Sequence, residues 1–418
     1  MISEKVFNAS KQCVSCITKP CQTGCPLHND ITSFIKFVKH KDYKSAFYSL
    51  CDTTILMPIC GRVCPSQSQC QAKCVKGISF TPVEIGFLES YVGDLALKYR
   101  WKFPTSEKET NLKVAVVGSG PAGLTCAQFL RRKGIQVTIY EKYDYLGGLL
   151  YHGVPDFRIN KMLLKAWIDK IISSGIKVKL NMELGKNLSL ETLEKEYDAV
   201  FIAIGANIPR KMGINGETLE NVYYGNEILE HFSVPECHGK TVIVNGGGNV
   251  AMDISRTMKR AGARRVIVVY RRSEKEMPAQ PKEIDDAMQD GVEFMFQTNI
   301  VEIVGKNKVE KLHCLKTELV QKEGETRLSP VNIAGSDFYL DCDMIVMAIG
   351  SQSEKNLVEK LGLALDKNGK IFVDENGRTS NEKIFAGGDI VDGKATIAYA
   401  AKLGRDVANS ISEYLLNK

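Results

Sequence analysis

Apolar residues in this chain recur with two different periods, and the change between them divides the chain into regions. Between residues 31 and 50 the apolar positions have helical spacing: Ile31, Phe34, Ile35, Phe37, Val38, Ala46 and Phe47. This spacing predicts two short helices with a turn near residues 40–42. Short continuous apolar runs follow at 113–117, 135–140, 241–244 and 266–270. Such runs are typical of strands buried on both faces of a parallel sheet.

A glycine-rich turn and an amphipathic stretch follow the first of these runs. The turn contains Gly118, Gly120 and Gly123 in the spacing GxGxxG, with Pro121 and Ala122 inside it. In a βαβ unit the first glycine makes the tight turn, the second lets backbone approach a pyrophosphate, and the third lets helix pack on strand. Glu141 ends the next strand, where a carboxylate binds ribose hydroxyls. The complete pattern predicts a dinucleotide site.

A second unit repeats this plan. The run at 241–244 leads into Gly246, Gly248 and Ala251, with Asn249 and Val250 between them, and the next strand ends in Arg271 and Arg272. A carboxylate at that strand end would repel a 2′-phosphate, whereas arginines form bidentate charge-assisted bonds to it. The second site is therefore predicted to bind NADP, the alternative being two solvated arginines at a strand end.

Two apolar segments, 201–206 and 345–350, each run into a glycine, as expected where the chain passes between two domains. Near the C-terminus, Gly388 and Asp389 precede Thr396, which opens the last predicted helix. Asp389 is a candidate acceptor for ribityl or ribose hydroxyls. The N-terminus of that helix is a candidate to stabilise the negative edge of a reduced flavin. The predicted architecture is α/β, with an NADP domain (226–345) inserted into an FAD domain (109–225 and 346–418), after a helical iron–sulfur domain (1–108).

Composition and charge exclude several classes of function. The 418 residues are 44% hydrophobic and 25% charged, with a formal net charge of +6. The longest uncharged apolar runs are strand-sized, well short of the roughly 18 residues that a membrane span needs. There is no run of five or more basic residues and no apolar signal core at the N-terminus. We expect a cytoplasmic protein that binds neither nucleic acid nor membrane.

Nine of the thirteen cysteines lie within the first 74 residues. One group is Cys13, Cys16, Cys21 and Cys25, ending in Cys-Pro; the second is Cys60, Cys64, Cys70 and Cys74, with Cys51 between the groups. Structural zinc usually takes two short cysteine pairs separated by a loop. The single tight run is closer to the ferredoxin pattern, although its x4 gap departs from ferredoxin spacing. We therefore predict two 4Fe–4S clusters, which need eight ligands, and not zinc.

With these motifs in view, residues 13–409 resemble the NADPH-dependent glutamate synthase small-subunit family. The same module occurs in the N-terminal part of dihydropyrimidine dehydrogenase and in the large subunit of electron-bifurcating ferredoxin:NADP oxidoreductase. The most specific matching pieces are residues 60–65 (CGRVCP), 147–150 (GGLL), 153–158 (GVPDFR) and 270–279 (YRRSEKEMPA).

The resemblance implies a ligand set and cofactor contacts. One cluster would be held by Cys13, Cys16, Cys21 and Cys74, and the other by Cys25, Cys64, Cys70 and Glu89, leaving Cys51 and Cys60 with packing roles. Gly148 and Arg158 join the cofactor-binding residues. The implied cofactors are FAD, NADPH and the two clusters. With the cofactors carrying the chemistry, no catalytic side chain is assigned.

The partner remains open at this point. The leading hypothesis is electron input to a larger catalytic subunit, as in glutamate synthase. The alternatives are pairing with the FMN-containing subunit of a pyrimidine reductase, exchange with ferredoxin, or a non-catalytic scaffold. The reductase region contains no C-x-x-C, which argues against the disulfide-reductase branch of two-dinucleotide flavoproteins.

Overall fold

The computed structural model describes residues 2–324, 327–391 and 394–417. The chain forms two compact units. The first unit comprises Met1–Tyr151, Asp156–Ala206 and Ser353–Lys418, and the second comprises His152–Pro155 and Asn207–Gln352. The main segment of the second unit is thus inserted into the first, and the two crossing points that bound this segment follow the glycine-ended segments named above.

The first 100 residues form a helical head in the first unit. Its α-helices are α1 (Ile2–Lys11), α2 (Pro20–Gly24), α3 (Ile31–Lys39), α4 (Tyr43–Cys51), α5 (Met57–Val63) and α6 (Ile85–Lys98), with 3₁₀ turns at Ser66–Ser68, Gln71–Lys73 and Val75–Ile78. The predicted pair of short helices is confirmed as α3 and α4. Asp30 and Asp42 begin them, because each carboxylate accepts a hydrogen bond from the backbone N–H three residues on.

Helices α5 and α6 touch through glycines. A Cβ on Gly61 would lie 2.4 Å from the carbonyl oxygen of Gly86, and one on Gly93 would lie 2.8 Å from the nitrogen of Pro58. Gly86, Glu89 and Gly93 follow one another at helical i, i+3, i+7 spacing and so share one face of α6. Close backbone contact on both sides of Glu89 therefore buries this carboxyl between the two helices.

The first unit continues with the elements of the first dinucleotide fold. They are β1 (Lys113–Val117), α7 (Pro121–Arg131), β2 (Gln136–Tyr140), α8 (Leu149–His152), α9 (Lys161–Ile172), β3 (Lys177–Lys179), α10 (Leu190–Glu196) and β4 (Ala199–Ile202). The predicted strands and helix of this βαβ unit are confirmed to within a few residues.

The second unit repeats the pattern and adds an antiparallel sheet. Its elements are β5 (Ile208–Pro209), β6 (Val222–Tyr224), α11 (Gly225–Glu230), β7 (Thr241–Asn245), α12 (Asn249–Arg260), β8 (Arg265–Val269), α13 (Pro281–Gln289), β9 (Glu293–Met295), β10 (Thr298–Val304), β11 (Lys311–Val320), β12 (Ser329–Asn332), β13 (Phe338–Asp341), β14 (Met344–Met347) and β15 (Ser351–Gln352). The chain then returns to the first unit as α14 (Lys355–Lys360), β16 (Ile384–Ala386) and α15 (Ile397–Leu416).

Each unit is built on a parallel sheet with a reversal of strand order. The order is β16-β4-β1-β2-β3 in the first unit and β6-β14-β7-β8-β9 in the second. In such sheets ligands bind at the carboxyl ends of the strands where the order reverses. Those positions are β1 beside β4 and β7 beside β14. The predicted fold class is confirmed. The predicted domain bounds stay a prediction. Strand β6, which ends before residue 226, pairs with β14.

Helix α15 packs on α7 at the start of the first glycine turn. A Cβ on Gly404 would lie 2.1 Å from the carbonyl oxygen of Ala122, so the two backbones meet at this point. Ala401, Val407 and Ala408 on α15 are buried around the contact. The C-terminal helix is thereby fixed against the helix that begins at the predicted pyrophosphate site.

No helix in the described part of the chain is both long and apolar enough to cross a membrane.

Replacing Gly404 by alanine tests this contact. Alanine in a helix interior is intrinsically favoured over glycine by about 1 kcal/mol, so any loss of stability must come from the collision with Ala122. Overpacking typically costs about 1–3 kcal/mol. We expect Gly404→Ala to lower the midpoint temperature of unfolding. Asn409→Ala, on the exposed face of the same helix, is the matched control and should leave the midpoint nearly unchanged. An unchanged midpoint for Gly404→Ala would contradict the close contact.

Candidate functional site

The first glycine turn connects the carboxyl end of β1 to α7. Gly118 has φ +102°, and a Cβ there would lie 2.4 Å from the carbonyl oxygen of Ala203. A Cβ on Gly123 would lie 1.9 Å from the oxygen of Gly118, so only glycine lets the helix start this close to the strand. A Cβ on Gly120 would meet no atom within 4 Å. Open space above Gly120, at a helix N-terminus, suits a pyrophosphate.

Two other predicted residues lie at this turn. Gly148, with φ +52°, approaches Gly120, since a Cβ on it would lie 3.1 Å from the Gly120 Cα. Gly388, with φ +82°, approaches Ala122 in the same way, at 3.1 Å from its Cβ. Three chain segments, around residues 120, 148 and 388, therefore converge on the first turn of α7, which begins at Pro121.

Glu141 is buried at the end of β2, as the fingerprint predicts. Its Oε2 accepts hydrogen bonds from the backbone N–H and the hydroxyl of Ser119, and its Oε1 accepts from the N–H of Tyr143 at 3.1 Å. Burial raises the pKa of Glu141, against the lowering effect of the Ser119 bonds. Ser119 also accepts from the N–H of Gly147 at 2.9 Å. Sequence reasoning missed Ser119, which ties the acid, the glycine turn and the 147–148 loop together.

The remaining predicted FAD residues lie elsewhere in the first unit. Asp389 is half-buried, and its carbonyl accepts from Lys370 at 3.0 Å. Thr396 is the N-cap of α15, with its hydroxyl accepting from the N–H of Tyr399. Arg158 lies beside the head, where its guanidinium donates to the carbonyl of Val63 at 3.4 Å. Val63 precedes Cys64, so Arg158 stands next to the second cysteine group.

The second glycine turn follows a similar backbone path to the first, but different residues surround it. Gly246 has φ +149°, and a Cβ on it would collide with the carbonyl of Ala348 at 2.3 Å. Above Gly248 a Cβ would meet nothing closer than 3.9 Å, which leaves room for phosphate. Residues 279–280 close on this turn, because Ala279 N–H donates to Gly247 and Gln280 N–H donates to the Asn249 side chain. Val250 follows Asn249 in the first turn of α12.

Three arginines lie near the end of β8. Arg271 is exposed, whereas the guanidinium of Arg272 donates to the carbonyl of Leu328 at 2.9 Å. Arg327 donates to the Tyr270 hydroxyl at 2.8 Å and also to the carbonyl of Glu276. Sequence reasoning missed Arg327, because it belongs to the β11–β12 connection and no local motif marks it. The strand end is thus basic, in contrast to the Glu141 end of β2.

The candidate metal ligands of the head, its cysteines and Glu89, fall into two groups. In the first, Cys13 lies within electrostatic reach of Cys16 and Cys74, and Cys21 lies within reach of Cys13 and Cys74. Burial, and then these neighbouring thiols, raise the pKa of Cys21 to about 11. A buried thiol with a raised pKa stays protonated unless a cation replaces the proton. These four residues are the ones predicted to share a cluster.

The second group contains five candidate donors. Cys25 and Cys70 lie within reach of each other, of Cys64 and of Glu89, and Cys60 adjoins Cys64. Burial raises the pKa of Cys25 to about 12, while the backbone N–H groups of Asn29 and Leu27 hydrogen-bond its sulfur. Cys60 was assigned only a packing role, and here it touches the predicted ligands. Cys51 is buried apart, with its carbonyl bound by Arg132.

Glu89 is the carboxyl of this second group. Burial raises its pKa to about 8, partly offset by a hydrogen bond from Asn29. A carboxyl buried among thiols is held neutral until a cation is supplied, so the donor set fits a metal cluster. A cubane binds one protein ligand at each of its four irons, which a ring of separated donors can satisfy. Among the described residues no three His, Cys, Asp or Glu side chains converge closely enough to hold a single metal ion.

Comparison with known proteins agrees with this geometry. Residues 112–404 match the profile of the pyridine nucleotide-disulphide oxidoreductase family, and residues 1–101 match dihydropyrimidine dehydrogenase domain II, 4Fe-4S cluster. The chain is 34% identical to the glutamate synthase [NADPH] small chain of Halomonas elongata, over 97% of this chain and 89% of that one. It is 34% identical to the NADP(+)-dependent formate dehydrogenase subunit beta of Moorella thermoacetica, over 96% of this chain and 60% of that one.

Among solved structures, FprA from Mycobacterium tuberculosis superposes with a TM-score of 0.63 at 22% identity, covering 74% of this chain and 85% of FprA. At this identity the likeness shows the fold alone. Fold, glycine turns and cysteine head together define an NAD(P)H-dependent iron–sulfur flavoprotein oxidoreductase. The chain belongs, more particularly, to the family of the glutamate synthase [NADPH] small chain.

Glu89 and Cys60 can be distinguished as ligands by substitution. If the carboxylate is a ligand, Glu89→Ala should remove or convert one cluster's EPR signal and leave the other intact, because the two donor groups are separate. Cys60→Ala removes a neighbouring buried thiol of the same group and serves as the control, which should retain both signals. The opposite result, with Cys60→Ala losing a cluster and Glu89→Ala losing none, would transfer the fourth ligand position to Cys60.

The arginine pair predicts coenzyme preference. Each charge-assisted hydrogen bond to the 2′-phosphate contributes about 1.5–3 kcal/mol, and a loss of 1.4 kcal/mol is about tenfold in affinity. Arg271→Ala with Arg272→Ala should raise the KM for NADPH at least about tenfold and leave NADH nearly unaffected. Arg264→Ala, which removes a guanidinium at the opposite end of β8, is the control. Equal losses for NADPH and NADH would mean that the pair supports only the fold.

Proposed function

We propose that this chain binds FAD at the first glycine turn and NADPH at the second, holds two 4Fe–4S clusters in its head, and delivers electrons from NADPH to a larger partner subunit. When bound, the flavin takes up a hydride from the nicotinamide, and the clusters carry its electrons singly. The observation that carries the proposal is the separation of the head's donors into two groups, in the same compact unit as the first turn.

The FAD assignment is supported by the Glu141 site. A buried carboxylate at the end of β2 accepts ribose hydroxyls well but repels a 2′-phosphate, so this turn suits FAD better than NADP. Ser119 and Tyr143 orient its two oxygens with backbone and hydroxyl donors. Gly120, Gly148 and Gly388 leave space at the α7 N-terminus for the pyrophosphate.

The cluster assignment is supported by burial and charge. Cys13, Cys16, Cys21 and Cys74 would hold one cluster, and Cys25, Cys64, Cys70 and Glu89 the other. Without a cluster each group is a set of acidic side chains, of which Cys21, Cys25 and Glu89 are buried and the others partly buried, and ionisation of the buried ones is costly without a positive counter-charge. The backbone N–H groups of Leu27 and Asn29 hydrogen-bond the Cys25 sulfur. Hydrogen bonds to the sulfurs tune the reduction potential of a cluster.

The partner assignment is supported by the surface around the first group. Ile17, Ile78 and Phe80 are 98%, 82% and 73% exposed and flank the first group in sequence. Segments 11–28 and 66–83 contain Lys11, Lys19, Lys73 and Lys76 but no Asp or Glu, although Lys19 is paired with Asp30 at 2.9 Å. Exposed apolar side chains on segments with an excess of basic residues fit an electron-accepting protein whose contact surface is acidic. The relative named as a small chain of glutamate synthase suggests a larger subunit for this role.

Cys64→Ala tests the order of electron flow. The variant should retain FAD and still reduce an artificial dye with NADPH, since the glycine turns are untouched, while its iron falls from about eight to about four atoms per chain. It should no longer pass electrons to the partner subunit that co-purifies with the chain. Cys342→Ala, which removes a buried thiol of the second unit, is the control and should keep wild-type FAD, dye reduction, iron content and electron transfer to the partner.

Three results would each contradict one part of the proposal. Unchanged iron in Cys64→Ala would remove Cys64 from the ligands, and loss of dye reduction with FAD retained would mean that the hydride step needs the clusters. Efficient turnover with an acidic ferredoxin, and none with the co-purified subunit, would replace the larger subunit by a soluble carrier.

A further inference from the structure

Asn29 is a buried amide that links the cysteine loop to Glu89. Its Nδ2 donates to Oε1 of Glu89 at 3.3 Å, across 60 residues of sequence. It also follows Cys25 in the same loop, and its own backbone N–H is directed at the Cys25 sulfur. One residue therefore contacts two donors of the second group, one through its backbone and one through its side chain.

The orientation of this amide is fixed from the far side. The hydroxyl of Thr53 donates to Oδ1 of Asn29 at 2.7 Å, which turns the NH₂ group toward Glu89. The reverse orientation would set the amide oxygen against the carboxylate oxygen, and two acceptors repel each other. Asn29 is thus held as a donor to Glu89.

Arg405 of α15 binds both the loop that contains Asn29 and the loop that contains Thr53. Its Nη1 donates to the carbonyl of Leu27 at 2.7 Å and to that of Thr53 at 3.1 Å. Asp406 accepts from the Nε and Nη2 of the same guanidinium at 3.0 and 2.9 Å, which orients it. The chain of contacts runs from the last helix through Thr53 and Asn29 to Glu89.

We propose that Asn29 is a positioning residue for the second cluster, holding one oxygen of Glu89 so that the other faces the metal, with Thr53 and Arg405 fixing Asn29 in turn. The inference rests on the proposed role of Glu89 as a ligand. Groups that orient a metal ligand by hydrogen bonding typically contribute about 10–100-fold to metal affinity or activity. Loss of the Asn29 donor also leaves more negative charge on the ligand oxygen, which favours the oxidised cluster.

The test measures the second cluster directly. Asn29→Ala removes the donor; Asn29→Asp removes it with almost no change of shape but also brings a second carboxyl close to Glu89. Both should release the iron of one cluster to a chelator about 10–100-fold faster than wild type and shift that cluster's EPR midpoint potential downward. The other cluster and the FAD content should stay at wild-type values. Thr53→Val should shift the potential in the same direction by a smaller amount.

Thr32→Val is the matched control. Thr32 is a buried threonine of the same head, and its hydroxyl donates to Asp30 outside this chain of contacts. The clusters of the Thr32→Val protein should therefore behave as in wild type. A double variant isolates the coupling, because Asn29→Ala should add nothing further once Glu89 is alanine.

Two outcomes would overturn the inference alone. One is a disturbed cluster in Glu89→Ala with wild-type iron release and potential in both Asn29 variants. The other is loss of both clusters and FAD in Asn29→Asp, which would make Asn29 a residue of the fold in general. If instead Glu89→Ala leaves both clusters intact, the ligand assignment fails and the positioning role falls with it.

Discussion

The joint between the cysteine head and the first dinucleotide fold depends on one short segment, Cys51–Ile55. Side chains on or at the end of three different helices bind its backbone carbonyls. Arg132, the C-cap of α7, donates to Cys51 at 2.7 Å, Arg405 of α15 to Thr53 at 3.1 Å, and Trp167 of α9 to Ile55 at 2.7 Å. A buried carbonyl left without a donor costs about 1–3 kcal/mol. The segment is therefore held where these three helices meet, and the cysteine groups are held with it.

The sites themselves are made by close backbone contact and not by large side chains. Gly118 and Gly123 let α7 begin against β1, Gly404 lets α15 reach α7, and Gly61 and Gly86 let α5 reach α6. The first contact places the N-terminus of α7 against β1, the second fixes α15 on the first turn of α7, and the last one buries Glu89 beside the thiols. Glycine in these positions gives up helix propensity and gains proximity, which is what cofactor binding at backbone groups requires.

The two glycine turns have similar backbone paths but differ in the charge of the residues around them. Buried Glu141 lies at the first turn, where a carboxylate repels a 2′-phosphate, whereas Arg271, Arg272 and Arg327 lie near the end of β8 in the second. In the head, thiols and one buried carboxyl bring acidic groups together, and a cationic centre would balance them. The two turns and the head thus differ in local charge.

The sequence by itself determined the features that are local along the chain. A βαβ unit with its glycines and its terminal acid or arginines spans about thirty residues, and the cysteine runs are shorter still, so spacing alone identified both turns, the helical head and the insertion of one unit into the other. Only the tertiary structure decided which distant side chains meet. Asn29 and Glu89 are 60 residues apart, and Arg405 and Leu27 are 378 apart. The roles of Ser119 and Arg327 belong to the same class, because each depends on contacts with residues distant in the chain, and no period or motif encodes those contacts.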